Sequence, residues 1–178
     1  MLKFQKVKKG NLEQILKWRT LPEVTRYMYS DIKYDIEDQK KWFKKLSTNK
    51  NEKAWMISYE SQNIGFISLN NIDYRNKHCR WGWYIGEQNK RGIAGFIPPY
   101  LYNFVFLKME FNKIIAEVMD GAEKVMKMHE MHGYRFIGKY NNHIYKYNKY
   151  HDIFVYELLS ETWTSIKKYK NHVASFEL

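Results

Sequence analysis

A strand, a glycine loop and an apolar helix follow one another between residues 80 and 109, and this unit most constrains the fold. "RWGWYIG" (80–86) has the alternating aromatic pattern of a strand, and "NKRGIAGFIPPY" (89–100) then places two cations and two glycines ahead of an apolar run. A glycine turn between a strand and a helix lets backbone N–H groups approach an anion, which the positive helix end also favours. The loop therefore predicts a diphosphate site, with an ordinary turn as the alternative.

Two consecutive prolines interrupt the apolar run. Pro98 and Pro99 cannot donate the N–H groups that a regular helix would bond to the carbonyls of Ala94 and Gly95. Either the helix restarts at Pro98 or its first turns are bent. Because the apolar positions continue past the prolines without a polar break, we expect the bent helix, running to about Met109.

Hydrophobic periodicity predicts one α/β domain over residues 1–160. The predicted order is β, α, α, β, β, β, α, β, α, β, β, a mixed and largely antiparallel sheet of about seven strands with about four helices. The pattern includes a helix at 35–46, a buried strand at 112–119 and a helix that ends at Gly133. Residues 161–178 are predicted to form a basic tail with a frayed helix.

The charge balance points to anionic partners. Thirty Lys and Arg against 19 Asp and Glu leave a net charge of +11, which suits nucleic acid, phosphorylated small molecules or acidic surfaces. No apolar stretch reaches the roughly 20 residues of a bilayer span, so we expect a cytoplasmic protein. Cys79 is the only cysteine, which fits a reducing compartment and a structural strand position, and no metal site is predicted.

The segments "RWGWYIG", "NKRGIAG", "NKIIAEVM" and "VMKMHEMHGYRF" resemble, in order and spacing, the GCN5-related N-acetyltransferases, abbreviated GNAT. The resemblance covers nearly the whole chain and implies acetyl-CoA as acetyl donor, without a metal. It implies that the backbone of Trp83, Tyr84 and Ile85 holds the acetyl oxygen. It also implies that the pyrophosphate loop comprises Asn89, Lys90, Arg91, Gly92, Ile93, Ala94 and Gly95, with Asn89 in place of the usual Gln or Arg.

Two further positions depart from the family pattern. His129 stands where the family commonly has a tyrosine that protonates the departing thiolate, and an imidazolium could donate that proton. The alternative is a helix-end histidine that only interacts with the helix dipole. Ala122 replaces an asparagine that contacts the pantetheine arm, so one hydrogen bond worth about 0.5 to 1.5 kcal/mol is lost.

Within that superfamily, "LKWRTLPEVTRYMYSDIKYDIEDQKKWFKKL" (16–46) resembles the N-acetyltransferases that act on UDP-linked 4-amino-4,6-dideoxy sugars in pseudaminic acid biosynthesis. Gln39 departs from the histidine that is frequent there. The resemblance implies that Arg19 pairs with the UDP diphosphate. Met28, Tyr29 and Trp42 would contact the uracil or the sugar methyl group, although Met28 and Trp42 also suit a core.

Glu117 is the best side-chain candidate for the general base. It lies in the middle of the apolar strand at 112–119, where an ionised carboxylate is costly unless it is paired or functional. A structural ion pair with a lysine is the rival interpretation. Glu87 is a weaker candidate, and Arg80 stands where many relatives carry an acid.

The expected function is acetyl-CoA-dependent acetylation of the 4-amino group of a UDP-linked dideoxy sugar, by direct attack in a ternary complex. One alternative keeps the chemistry and takes a protein N-terminus, as in the ribosomal-protein alanine acetyltransferases. A second is a non-enzymatic nucleic-acid-binding module, which the scattered lysines disfavour. The expected partner is therefore a sugar nucleotide and not nucleic acid, and a homodimer is left open.

Overall fold

The computed structural model describes residues 2–177, in which seven strands form one mixed sheet in the order β1-β2-β3-β4-β5-β7-β6. The strands are β1 (Leu2–Lys6), β2 (Lys53–Tyr59), β3 (Gln62–Asp73), β4 (His78–Ile85), β5 (Lys113–Met119), β6 (Arg135–Lys146) and β7 (Lys149–Leu159). The α-helices are α1 (Leu12–Arg19), α2 (Pro22–Thr25), α3 (Ile36–Thr48), α4 (Pro98–Asn103), α5 (Glu123–Met131) and α6 (Ser160–Ser165). The predicted mixed α/β sheet is confirmed, and the short α2 and α6 account for the additional helices.

The sheet divides at its centre. All neighbouring strands are antiparallel except β4 and β5, which run parallel. Their pairing covers only His78–Arg80 against Lys113–Ile115, after which β4 continues beside β3 and β5 beside β7. The two central strands therefore diverge, and the gap between them exposes backbone groups that a continuous ladder would have bonded.

Each face of the sheet carries its own core. Alternate residues of a strand point to opposite faces, so Cys79 and Trp81 pack with α4 on one face while Tyr84 packs with α1 and α3 on the other. Asp35, the residue before α3, accepts hydrogen bonds from the backbone of Glu37 and Asp38 and caps that helix. The helices thus cover β2, β3 and β4 from both sides.

Helix α1 fixes the end of β4. A Cβ atom on Gly86 would lie 2.1 Å from Cγ of Trp18, so only glycine allows the indole to pack against this turn. The indole Nε1 of Trp18 also donates to Oε1 of Glu87 at 3.0 Å. These contacts set where the glycine loop begins, and they occupy Glu87, the weaker candidate base.

The prolines mark the start of a helix. Residues Gln88–Phe96 form a 3₁₀ helix, and α4 begins at Pro98 with both prolines in its first turn, where a missing N–H costs nothing. The chain then continues as a π-helix over Phe104–Lys108. The expected bent helix is therefore wrong, because the α-helix restarts at Pro98.

The C-terminal segment packs into the same core. Trp163 is 2% exposed and Phe176 is 6% exposed, and the indole Nε1 of Trp163 donates to Oδ1 of Asn103 at 2.7 Å. Asn103 in turn donates to the carbonyls of Tyr169 and His172. The expectation of a frayed tail is wrong up to Glu177; residue 178 lies outside the described residues. Among residues 2–177, no helix is long and apolar enough to cross a membrane.

Candidate active site

The glycine loop borders the gap between β4 and β5 and leaves its backbone accessible. A Cβ atom added at Gly92 or Gly95 would meet nothing within 4 Å, so the loop presents open backbone on that side. Lys90 Nζ lies 3.4 Å from a carboxylate oxygen of Glu60, and Arg91 Nη2 lies 3.1 Å from one of Glu23. Such exposed pairs contribute little stability and exchange readily for a phosphate. The loop therefore fits the diphosphate of acetyl-CoA.

The end of β4 turns its side chains away from the gap. The ring of Trp83 stacks on Trp81 at 6.3 Å, and the ring of Tyr84 stacks on Phe66 at 5.4 Å. Ile85 is buried. Since these side chains lie on the two faces of the sheet, what β4 offers a ligand within the gap is its backbone.

The other predicted cofactor residues differ in their exposure. Ile93 and Ala94 pack partly buried against the core, whereas Asn89 is exposed. Ala122 is buried and immediately precedes α5. The loop is thus anchored by its apolar residues and exposes its polar ones.

Glu117 lies at the centre of a polar group on the α1 and α3 face. Its Oε2 accepts a hydrogen bond from the hydroxyl of Tyr29 at 2.7 Å. Its Oε1 lies 3.0 Å from Nη1 of Arg80 and forms an ion pair with it. The N–H groups of Arg80 do not point at this oxygen well enough to form a hydrogen bond. Burial, and then the bond to Glu117, raise the pKa of Tyr29. Within the described chain, Oε1 therefore retains capacity to accept a proton.

A cavity of about 660 Å³ opens on the same face. Aromatic rings of Trp42, Phe66 and Tyr84 line it, and Trp42 lies tilted 6.1 Å from Phe66. A Cβ atom at Gly82 would meet only Oγ of Ser68, at 3.9 Å, so small residues widen this side of the cavity. The predicted acceptor residues Arg19, Met28 and Trp42 line the cavity together with Gln39.

Arg19 is engaged by its own chain. Its Nη1 donates to Oγ1 of Thr25 at 2.9 Å and its Nη2 donates to the carbonyl of Ser30 at 2.7 Å. Burial lowers the pKa of Arg19. The guanidinium therefore supports the loop before α3, which leaves fewer of its N–H groups for a diphosphate than the sequence suggested.

His129 lies on the other face of the sheet, in the core. It is 3% exposed, and its ring is 5.7 Å from Trp81, 4.7 Å from Tyr134 and 5.9 Å from Tyr156. Burial, followed by the neighbouring His132, lowers the pKa of His129 to about 3. A neutral imidazole at pH 7 is a poor proton donor, so this placement favours the structural interpretation over the general-acid one.

Comparison with known proteins identifies the class of enzyme. Residues 5–155 match the family described as "Acetyltransferase (GNAT) domain". The chain belongs to the GNAT acetyltransferase family. Membership makes it an enzyme, an N-acetyltransferase with acetyl-CoA as donor, and excludes the non-enzymatic module.

Individual relatives of this GNAT acetyltransferase carry different names. It is 27% identical over 128 residues to the acetyltransferase PseH of Campylobacter jejuni, covering 71% of this chain and 78% of PseH. It is 28% identical over 112 residues to the putative ribosomal N-acetyltransferase YdaF of Bacillus subtilis, covering 62% and 61%. The fold matches spermidine N-acetyltransferase of Vibrio cholerae, solved with CoA and spermine, with a TM-score of 0.84, 17% identity, and coverage of 92% and 98%.

Sequence reasoning missed part of the cavity lining in this GNAT acetyltransferase. Phe66 and Tyr84 lie directly opposite each other on neighbouring strands. The alternating pattern of these strands predicted that both rings pack in a core, but it did not show that they also border a cavity. Arg80 was set aside as a base, yet it is the ion-pair partner of Glu117. That pairing follows from the parallel register of β4 and β5, which the sequence does not specify.

The first prediction concerns the glycine loop. In Gly92→Val the added side chain enters open space, so the free energy of unfolding should barely change, while the KM for acetyl-CoA rises about tenfold, the equivalent of ~1.4 kcal/mol. Steady-state kinetics and thermal unfolding measure the two effects. Gly10→Val is the matched control, because a Cβ atom there also meets nothing within 4 Å. An unchanged KM in Gly92→Val would argue against a diphosphate at this loop.

The second prediction concerns the pH dependence of stability. His129 has a pKa of about 3 when folded and about 6.5 when unfolded. Below pH 6.5 the unfolded state therefore binds a proton that the folded state does not, and stability falls until about pH 3. By pH 4.5 the loss from His129 should reach about 2 to 3 kcal/mol.

His129→Phe should remove the His129 contribution to the fall in the free energy of unfolding between pH 7.5 and pH 4.5. Denaturant unfolding at both pH values measures this. His132, whose pKa burial lowers to about 4, should keep a loss of comparable size in the variant. The exposed His143 provides the control His143→Phe, which should leave the dependence unchanged. Equal losses in wild type and His129→Phe would contradict a buried neutral His129.

Proposed function

We propose that this GNAT acetyltransferase transfers acetyl to the 4-amino group of a UDP-linked 4-amino-4,6-dideoxy sugar, by direct attack in a ternary complex. The observation that carries the proposal is the position of Glu117, with Tyr29 and Arg80, on the same face as the aromatic cavity. The cavity is built largely by residues 16–46, the segment that resembles the sugar-nucleotide enzymes. Similarity to PseH over 71% of the chain supports the same substrate class.

The residues divide the chemistry among them. An amine attacks a thioester only when it is neutral, so a base must take its proton, and Glu117 Oε1 is the acceptor that this face provides. The Arg80 guanidinium, whose Nη1 lies 3.0 Å from Oε1, forms an ion pair with the Glu117 carboxylate. The backbone at Trp83–Ile85 would donate to the acetyl oxygen, where charge develops. Bound acetyl-CoA supplies the activated acetyl group.

The cavity lining suits a nucleotide with an apolar sugar edge. Trp42, Phe66 and Tyr84 offer ring faces for a uracil, and Met28 offers an apolar surface for the C6 methyl group. Since Arg19 is engaged internally, Lys33, which also lines the cavity, is the better donor to the diphosphate. The cavity volume lies within the range of sites that bury small ligands.

A cationic acceptor is the second candidate. Carboxylates of Asp31, Asp35, Asp38 and Glu52 also line the cavity, and such a lining favours a polyamine or a protein N-terminus over a diphosphate. Similarity to a putative ribosomal N-acetyltransferase and to the fold of spermidine N-acetyltransferase agrees with this alternative. Asp35 and Asp38 are partly used within α3, by the helix cap and by Lys41, which weakens it.

A homodimer and a cytoplasmic location stay predictions. Strand β6 forms an edge of the sheet and exposes Phe136 and Ile137, at 51% and 47%. Exposed apolar residues on an edge strand favour association. Sedimentation velocity of the purified protein measures the assembly.

The third prediction compares acceptors. With acetyl-CoA and equal concentrations of the UDP-linked 4-amino sugar, an alanine-initiated peptide and spermidine, thiol release should show the highest kcat/KM for the sugar nucleotide. The margin should be about 100-fold, because the competitors leave buried polar groups unpaired. A higher kcat/KM for spermidine or for the peptide would replace the proposal with the cationic alternative.

The fourth prediction tests the base. Glu117→Gln should lower kcat at pH 7 about 10² to 10⁴-fold, with the KM for acetyl-CoA unchanged because the glycine loop is untouched. The difference in kcat between wild type and Glu117→Gln should shrink as pH rises, since more of the acceptor amine is then neutral. Glu161→Gln, at an exposed position of α6, is the control. A wild-type kcat in Glu117→Gln would remove Glu117 from the mechanism.

A further inference from the structure

A buried lysine holds the segment that carries Tyr29. The side chain of Lys146, the last residue of β6, is 4% exposed. Its Nζ donates to the carbonyl of Thr25 at 2.6 Å and to that of Met28 at 2.9 Å, and it lies 2.9 Å from Oδ1 of Asp31. An ammonium has three N–H donors, and the segment 25–31 provides one oxygen atom for each of them.

The same segment is held from the opposite side by α1. Arg19 contacts Oγ1 of Thr25 and the carbonyl of Ser30, and the Thr25 hydroxyl donates to Asp31 at 2.8 Å. Two cations from distant parts of the chain therefore converge on one irregular segment. Charge-assisted hydrogen bonds of this kind are stronger and more directional than neutral ones.

Packing alone does not fix this segment. Tyr27 is 40% exposed and Tyr29 is 41% exposed, so neither ring anchors the backbone in a core. The hydroxyl of Tyr29 nevertheless reaches Glu117 on β5 at 2.7 Å. The position of Tyr29 therefore depends on the polar contacts of its neighbours, and Lys146 makes the largest number of them.

We propose that Lys146 is a positioning residue for acetyl transfer, whose ammonium fixes segment 25–31 so that Tyr29 bonds to Glu117. This role rests on the proposed function of Glu117 as base. Without the ammonium, two carbonyls and Asp31 lose their shared donor, and the segment can rearrange toward solvent. Tyr29 then leaves Glu117, and the acceptor amine meets a misaligned carboxylate.

The kinetic test replaces the charge with an isosteric apolar chain. Lys146→Met should lower kcat/KM for the acceptor about 10 to 100-fold, the usual effect of a misplacement near 1 Å, and leave the KM for acetyl-CoA unchanged. Lys149→Met, at an exposed position of the same hairpin, should behave as wild type. An unchanged kcat/KM in Lys146→Met would overturn the proposal.

A second readout follows Tyr29 directly and needs no turnover. In protein labelled with 3-fluorotyrosine, the Tyr29 resonance is assigned by its loss in Tyr29→Phe, and its titration is followed at high pH. The charged and titratable groups facing the phenol are Glu117, Arg80 and Tyr140. In Lys146→Met the titration midpoint should fall toward that of the other exposed tyrosines, because the phenol loses its partial burial and then its hydrogen bond to the carboxylate. An unmoved midpoint, even beside lowered stability, would show a purely structural lysine and overturn the proposal.

A third arm restores the charge. In Lys146→Cys, alkylation with 2-bromoethylamine rebuilds an ammonium of nearly the same length, whereas iodoacetamide adds a neutral group. Cys79 is fully buried and its burial raises the thiol pKa to about 12, so it stays unmodified. Aminoethylation alone should restore the Tyr29 midpoint and kcat/KM, and equal recovery with the neutral group would overturn the proposal.

These readouts separate two kinds of failure. If none of the three acceptors is turned over, the proposed function fails, yet the Tyr29 midpoint still shows whether Lys146 fixes the segment. If Lys146→Met does not fold, Asp31→Asn removes the exposed partner of the ammonium and should lower the same midpoint. An unmoved midpoint in that variant would overturn the proposal.

Discussion

The parallel contact between β4 and β5 is the constraint on which the rest of the molecule depends. It is only three residue pairs long, and the strands separate because each stays bonded to its outer neighbour. The separation exposes backbone at the end of β4 and leads the chain into the glycine loop. It also brings Arg80 and Glu117 together, one from each strand, where the gap begins. A longer ladder would close the gap in which both the proposed cofactor backbone and the proposed base lie.

Strand alternation then assigns each side of the sheet a different task. Arg80 and Glu117 lie on the face of the sheet that carries α1 and α3, whereas Trp81, one residue after Arg80, lies on the face whose core holds His129. The expected base and the expected acid thus lie on opposite faces of one sheet. Glu117, the expected base, keeps one carboxylate oxygen that accepts no hydrogen bond from the described residues. His129, the expected acid, is enclosed by aromatic rings. Proton acceptance is therefore the step that this side-chain arrangement supports most directly.

The sequence determined the local features well and the long-range ones poorly. Hydrophobic periodicity predicted about seven strands and their order along the chain, and the polarity of Glu117 within an apolar strand marked it as functional or paired. The partners Arg80 and Tyr29 lie 37 and 88 positions away in the sequence, and no periodicity connects them. The burial of His129 depends on aromatic rings from three other parts of the chain, which no local pattern connects. The sequence also left open whether the two prolines bend a helix or begin one, and the structure shows that α4 begins at Pro98.

Net charge is a weak guide to ligands here, because the cations divide into two kinds. Lys90 and Arg91 have exposed carboxylate partners, which a phosphate can displace at little cost. Arg19 and Lys146 are committed to carbonyls and hydroxyls of segment 25–31, and a ligand that took them would leave these acceptors without their donors. The +11 balance therefore overstates the charge available to an acceptor. In the proposed function, the donor diphosphate would meet exchangeable cations, whereas ring faces, shape and the Tyr29–Glu117 pair would largely select the acceptor.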